Sequence, residues 1–293
     1  MHEIPASKHN LEKFFQGLPW SDLEIKITPY FESKEKASDY IKTIQAEARM
    51  GLNLISSSLL KSHRVLEVGS GMGLLAGYLN SIGINITALE PGLGGFSVST
   101  ALADAVAGSP EFKTLKRLNV SAEELSQKDY EEFDFIYSVN VLEHIPELEK
   151  AMQGMRNVLT KQGKMMHTCP NYTVPYEPHF GIPLIPFFPR LTPFIYSQCK
   201  NSELWDSFNF ITASQIERIC SRNSMNIRFD ASVLHRSFLR LEEDPEFLKR
   251  QSNSLVGTIF KILKSTGLIN ITRFIPAKLA TPMVCVITTN QKN

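Results

Sequence analysis

The stretch Val65-Leu66-Glu67-Val68-Gly69-Ser70-Gly71-Met72-Gly73 decides the fold. A short β-rich run passes straight into three glycines spaced two apart, and the apolar helical stretch Leu74–Leu79 follows at once. A strand, a glycine turn and a helix N-terminus in that order let backbone amides approach a ligand closely. Downstream, a second β-rich run, Asn85–Leu89, ends on Glu90, 21 positions after Gly69. A carboxylate there can accept both hydroxyls of a ribose.

Working outward, Ala37, Ile41, Ile44, Ala48, Leu52 and Ile55 recur at helical steps upstream of the motif. Beyond Glu90 the pattern predicts a helix from about Phe96 to Ala107, a weak strand near Phe112–Val120 and a strong strand at Phe133–Val139. A helix at Leu148–Leu159, stopped by Gly163, and a strand at Lys164–Thr168 complete the run. Strands alternating with helices imply right-handed crossovers, a parallel sheet and a doubly wound, Rossmann-like α/β domain. After Thr168 the alternation stops. Residues 169–205 are rich in proline and aromatics; a helix at Thr212–Ser221 and a strand at Asn226–Ser232 follow, and a second irregular segment covers about 233–281. Pro282–Thr289 reads as a final strand. The expected organisation is an N-terminal extension over 1–34, with one short helix at most, then one domain over 35–293 with cap insertions at about 169–205 and 233–281.

Composition narrows the class. The 293 residues are 43% hydrophobic and 21% charged, which excludes a disordered or fibrous chain. Thirty-one basic and 30 acidic residues leave a net charge of +1, so no broad field grips nucleic-acid phosphates. The four cysteines, Cys169, Cys199, Cys220 and Cys285, form no CxxC pair, which argues against a zinc knuckle or disulfide framework and for a reducing, cytoplasmic setting. The most apolar stretch, Gly181–Tyr196, is broken by four prolines and Arg190 and is too short to span a bilayer as a helix.

Two ligands suit the glycine loop. A dinucleotide fingerprint G-x-G-x-x-G would need glycine where Leu74 stands; here the third glycine is Gly73. Glu67, two residues before Gly69, would repel a pyrophosphate and suits a cationic ligand instead. The segment resembles motif I of the class I S-adenosylmethionine-dependent methyltransferases. Further blocks are similar in order and spacing: Thr87-Ala88-Leu89-Glu90-Pro91 to the ribose-binding strand end, Ser121-Ala122-Glu123-Glu124-Leu125 to the adenine-side loop, and Phe133–His144 to the fourth strand and its exit. Thr160-Lys161-Gln162-Gly163-Lys164 stands where the family commonly has L-K-P-G-G. Ser121 departs from the usual acidic residue beside adenine, which shifts recognition toward the backbone of Ala122. The resemblance implies a seven-stranded, mostly parallel sheet with an antiparallel last strand and S-adenosylmethionine as cofactor. Gly69, Ser70, Gly71 and Gly73 would form its loop, Glu67 would lie near the methionine ammonium, Glu90 would hold the ribose, and Val139 and Asn140 would flank the cofactor.

Substrate-side candidates follow the strands. His144, leaving the fourth strand, is a candidate base, although the plainer reading is a helix-start residue. Pro175-Tyr176-Glu177-Pro178-His179-Phe180-Gly181 follows the fifth strand, and Tyr176 and His179 there are candidates for acceptor contact. Ubiquinone-pathway and small-RNA terminal 2′-O-methyltransferases carry a similar E-x-x-E-H motif that binds metal. This chain has Asn140 in place of the first glutamate, so a metal is not expected, and Mg²⁺ on Glu143, His144 and His179 is the minority alternative. Ile182–Tyr196 and the amphipathic piece 255–268 either shape a greasy pocket, touch a membrane surface, or pack on each other as a cap. The expected function is S-adenosylmethionine-dependent methylation of a small-molecule, lipid-like or sugar-precursor acceptor, with O-methylation favoured and His144 or His179 as base. The alternatives are a non-catalytic cofactor-binding partner protein and an RNA methyltransferase.

Overall fold

The computed structural model describes residues 6–92, 97–243 and 255–290. Helices α1 (Lys8–Gln16), α2 (Trp20–Ile27) and α3 (Lys34–Ile55) come first. Ser7 caps α1 by accepting the Asn10 N–H at 3.1 Å, and Ser33 caps α3 in the same way through Lys36. Leu11 with Phe15, and Leu23 with Ile27, form the buried stripes of α1 and α2. The expectation of at most one short helix in 1–34 is therefore corrected. Each stripe is a single i, i+4 pair, too brief to register as a period in the sequence.

The motif region forms β1 (Arg64–Val68), α4 (Leu74–Ser81), β2 (Asn85–Leu89), α5 (Ser97–Val106), β3 (Lys116–Leu118), β4 (Phe133–Val139), α6 (Leu148–Asn157) and β5 (Leu159–Cys169). The helix expected from Phe96 begins at Ser97, and Phe96 itself lies outside the described residues. Beyond β5 come the hairpin β6 (Tyr176–Glu177) and β7 (Ile182–Pro183), then α7 (Glu203–Ser207), α8 (Ala213–Arg222), β8 (Met225–Phe229), α9 (Val233–Glu243), α10 (Leu255–Ser265) and β9 (Met283–Thr289).

The main sheet runs β3-β2-β1-β4-β5-β9-β8, seven strands, mostly parallel, with antiparallel pairing at its end, and it carries helices on both faces. This is the expected doubly wound architecture. Val65, Leu66 and Val68 of β1 are buried, as a parallel strand covered on both faces requires. Register aligns Val68 with Leu89 on one side and with Ser138 on the other, so three strands end level with one another. Two boundaries differ from expectation. Strand β3 is three residues long because Ser109–Leu115 turns back on itself, with the Phe112 N–H donating to Ser109 O and the Leu115 N–H to Phe112 O. Gly163 lies inside β5 rather than stopping a helix, because α6 already ends at Asn157.

The chain divides into two compact units. The first comprises 1–141, 147–167 and 288–293, and the second 142–146 and 168–287. Both segments read as cap insertions fall in the second unit; 244–254 of the latter lie outside the described residues. Within that unit Phe238, Leu241 and Phe260 form a small core joining α9 and α10. His235 Nδ1 lies 2.8 Å from Thr272 Oγ1, and Arg273 Nε donates to His235 Nε2 at 2.8 Å, which ties α9 to the turn at Ile269–Phe274. All four cysteines are buried and free. Among the described residues no helix is long and apolar enough to cross a membrane.

Candidate active site

The glycine loop between β1 and α4 belongs wholly to the first unit. Gly69 sits at φ 69°, and a Cβ there would run into the Val141 side chain, so glycine is required twice over. Gly71, at φ 54°, is different. The nearest atom to its would-be Cβ is Ser99 Oγ at 3.7 Å, so the loop stays open above it. Gly73 is the N-cap of α4. Arg117 on β3 holds the far side of the loop by donating to the Met72 carbonyl at 2.8 Å. Ser70 Oγ is buried and has no hydrogen-bond partner among the described residues. An open glycine cradle beside an orphaned buried hydroxyl fits a polar ligand laid along the loop.

The two expected carboxylates divide their tasks. Glu90 Oε2 accepts the Gly71 N–H at 2.8 Å and Oε1 accepts the Gly92 N–H at 3.1 Å. A carboxylate has about four acceptor positions, so two backbone bonds leave capacity for ribose hydroxyls. Glu67 instead points inward. Its carboxylate accepts the Ala76 N–H of α4 at 3.1 Å and lies beside the buried Tyr137 hydroxyl. Burial pushes its pKa up to about 8, with the Tyr137 and Ala76 bonds opposing and Glu90 adding to the rise.

Val139 closes β4, and Asn140 turns the chain there at φ 53°, a conformation that asparagine tolerates better than most residues. Asn140 Nδ2 donates to Glu47 Oε1 of α3 at 3.1 Å. Tyr40, also on α3, shares a 3.0 Å hydrogen bond with Ser99 Oγ at the start of α5. Sequence reasoning missed Tyr40 and Glu47, because α3 announces itself only as an amphipathic stripe. Ala122, on the turn after β3, is buried, and Ser121 ahead of it donates its N–H to Glu124 Oε2 at 2.8 Å. Ser121 thus serves a helix cap, and Ala122 lies within the turn.

A second constellation lies within the second unit. Three residues beyond Asn140 in the chain, Glu143 is fully buried. His144 Nε2 stands 3.9 Å and His179 Nε2 4.0 Å from Glu143 Oε1. His144 Nδ1 lies 2.7 Å from Ser207 Oγ, and that hydroxyl donates to Leu204 O at 2.7 Å. The hydroxyl proton being committed, the Nδ1 of His144 carries the hydrogen and Nε2 the lone pair; this tautomer is inferred from the hydrogen bonds. His179 Nδ1 lies 2.6 Å from Glu177 Oε1, which assigns the same tautomer to His179. Glu177, buried on β6, also accepts the Phe180 N–H at 2.7 Å and the Tyr172 hydroxyl at 3.4 Å. Burial and the neighbouring His179 push the His144 pKa down to about 3, so His144 is neutral. Phe208 packs against both imidazoles, and Tyr172, Phe180, Trp205 and Phe210 surround it.

Two parts of this constellation escaped sequence reasoning. Glu177 was visible as a residue type but not as the partner that orients His179. Asn209 gave no signal. Its Nδ2 donates to Leu142 O at 2.7 Å and Ile145 O at 2.9 Å, and its N–H donates to Glu143 O at 2.8 Å, so it fixes the turn that carries Glu143 and His144. Tyr176, expected to contact acceptor, is buried on β6. Asn171 anchors structure: its amide bonds Lys278 O, Ala280 O and the N–H groups of Thr173 and Ala213.

The fold and the open loop define a class I S-adenosylmethionine-dependent methyltransferase, an enzyme whose cofactor is S-adenosylmethionine. The methyltransferase domain family matches residues 40–227, and the chain belongs to it. An uncharacterized protein of Mycobacterium tuberculosis is 32% identical over 235 residues, covering 75% of this chain and 78% of that protein. The ubiquinone biosynthesis O-methyltransferase of Azorhizobium caulinodans is 23% identical over 203 residues, 69% of this chain and 73% of that one. Among solved structures, Haemonchus contortus phosphoethanolamine N-methyltransferase 2 in complex with S-adenosyl-L-methionine is 17% identical with a TM-score of 0.48, covering 83% of this chain and 53% of that one.

Proposed function

We propose that the chain O-methylates a small acceptor whose hydroxyl stands on an apolar, lipid-like or sugar-precursor body, with His179 as general base. The observation that carries this reading is the Glu177–His179 pair, a buried carboxylate 2.6 Å from Nδ1 of a partly exposed imidazole. A hydroxyl must lose a proton as it attacks, whereas a free amine can attack before losing one, so an oriented base favours oxygen as the acceptor atom. Bound S-adenosylmethionine supplies a methyl group on a sulfonium whose leaving group is a neutral thioether. Gly69, Ser70, Gly71 and Gly73 would hold it, with Glu90 on the ribose, the Ala122 turn toward adenine, and Glu67, Val139 and Asn140 around the loop. With the methyl group supplied in this way, His179 Nε2 would take the hydroxyl proton as the acceptor oxygen attacks. Glu177 holds the ring in the required tautomer and stabilises the imidazolium that forms. The aromatic side chains around Phe208 offer an apolar surface suited to a lipid-like or ring-bearing acceptor.

A second reading rests on the same atoms. The two Nε2 lone pairs and a Glu143 oxygen lie within 4.8 Å of one another, so the three side chains could hold a divalent ion. Two imidazoles and one carboxylate suit Zn²⁺ or Mn²⁺ better than Mg²⁺. The test is transfer of labelled methyl to paired hydroxyl and amine acceptors on phenol, sugar and isoprenoid bodies. It is run with wild type and His179→Ala, with and without EDTA. The expected result is activity on a hydroxyl acceptor that falls at least about 100-fold in the variant with unchanged S-adenosylmethionine affinity. Transfer to amines alone, or an unaffected variant, would overturn the base assignment. Loss of activity in EDTA, restored by Zn²⁺ or Mn²⁺, would establish the metal reading.

A further inference from the structure

The loop after β7 exposes apolar side chains to an unusual degree while remaining tightly built. Phe187 is 95% exposed, Phe194 79% and Ile195 66%, with Phe188 and Leu191 between them also exposed. This exposure does not come from a slack backbone. The buried Thr192 is the hub: its Oγ1 accepts the Ile185 N–H at 3.1 Å, and its carbonyl accepts the N–H groups of Ile195 and Tyr196. The Phe188 N–H donates to Ile185 O and the Leu191 N–H to Phe188 O. Pro186, Pro189 and Pro193 have no N–H to leave bare. A loop in which many amides are bonded internally or, at the three prolines, absent enters an apolar phase at lower cost than an open one, because unsatisfied backbone groups are what that phase penalises.

Charge selects the partner. From Pro178 to Ser202 the sequence contains no aspartate or glutamate, while Arg190 and Lys200 are present. Arg190 lies 5.5 Å over the Phe210 ring, with its Nη2 donating to Phe208 O, and so is fixed near the base of the loop. A two-fold contact between copies of this chain through the loop would gather these cations with no carboxylate to answer them. We propose that the Phe187–Ile195 loop is an interfacial anchor that seats the second unit on an anionic phospholipid surface. The aromatic side chains enter the headgroup–acyl boundary, and Arg190 and Lys200 meet the lipid phosphates. A second exposed apolar set, Ile262, Ile271 and Phe274, lies in the same unit. Two of the cations in that stretch already have carboxylate partners, Lys264 with Glu242 and Lys278 with Glu217, whereas no acidic residue lies between Pro178 and Ser202, so the anchor is assigned to the first loop.

The experiment is sedimentation of the full chain with sucrose-loaded vesicles of phosphatidylcholine alone or with about one third phosphatidylglycerol, comparing wild type with Phe187→Ser/Phe194→Ser. Near-ultraviolet circular dichroism and thermal unfolding report that the second unit of the variant is folded, and S-adenosylmethionine affinity reports the same for the first. The expected result is co-sedimentation with the anionic vesicles and at least about a 10-fold weaker partition for the variant at unchanged cofactor affinity. Phe187→Trp would also show a blue-shifted emission quenched by brominated acyl chains. Wild type left in the supernatant, or a variant that sediments equally well, overturns the proposal. So does a lipid-free dimer that the double substitution converts to monomer, which would make the loop an interface between copies.

Discussion

At the scale of single residues, burial decides what the charges do. Glu67 reads in the sequence as a counter-charge for a cationic ligand, yet its carboxylate is turned toward Ala76 and Tyr137 and its pKa is raised to about 8. In the unfolded chain the same group ionises near 4.5. Below that pH both states hold the proton and the group costs nothing. Between 4.5 and about 8 the unfolded chain gives up its proton while the folded one keeps it, so stability falls as pH rises, and the loss levels off above about 8. Glu67→Gln removes this dependence. We expect the difference in unfolding free energy, variant minus wild type, to grow across that window by a few kcal/mol, at a slope on the order of 1.4 kcal/mol for each pH step of one. Thermal unfolding at a series of pH values measures it; a difference that stays flat would mean Glu67 is ionised in the folded protein. The orientation of His179 by Glu177 is the converse case. A buried carboxylate is tolerated because it accepts from an imidazole, an amide and a phenol together.

At the scale of elements, what a strand buries on both faces is legible and what a short turn does is not. Strands β1, β2 and β4 lie where the sequence puts them because parallel strands covered on two sides are continuous β-rich runs. Helices α1 and α2 escape a sequence reading because two buried residues each make no period. The extension of β5 back to Leu159 escapes it because Gly163 looks like a breaker when its neighbours in the sheet are unknown. Gly154 is overlooked for the opposite reason, since a glycine inside a helix looks merely tolerated. It lets α6 pack directly on the turn at Ala122–Glu124: a Cβ at Gly154 would fall against the Ala122 carbonyl oxygen, a backbone atom that cannot swing aside. Gly154→Ala is therefore expected to cost about 2–4 kcal/mol and to weaken S-adenosylmethionine binding by displacing Ala122. Gly108→Ala, with nothing within 4 Å of its Cβ, is the control and is expected to stay within about 0.5 kcal/mol. Calorimetric titration and thermal unfolding of both variants check this, and equal behaviour of the two would remove the packing argument.

At the scale of the whole molecule, the residues proposed for cofactor binding and those proposed for proton transfer fall in different units. The glycine loop, Glu90 and Ala122 belong to the first unit, while Glu143, His144, Glu177, His179 and Asn209 belong to the second. The sequence disclosed the first group well, because a glycine loop and the acidic strand end are close in the chain and local in their logic. It disclosed the second group only as residue types, because Asn209 reaches Leu142 across 67 positions and the aromatic residues around Phe208 come from separate turns. The division has a measurable consequence. Glu90→Ala removes acceptor capacity for ribose and is expected to weaken S-adenosylmethionine by about 10- to 100-fold, as loss of hydrogen bonds to a charged group does. His179→Gln is expected to leave that affinity within about 2-fold and to lower kcat instead, since a base contributes in the transition state. Two substitutions that act on different steps and share no partner should add. The double variant should then lose kcat/KM by the product of the single losses, within a factor of about 2. A double variant no worse than Glu90→Ala alone would show that His179 matters only once the cofactor is held, and would move it from proton acceptor to a residue that organises the loaded site.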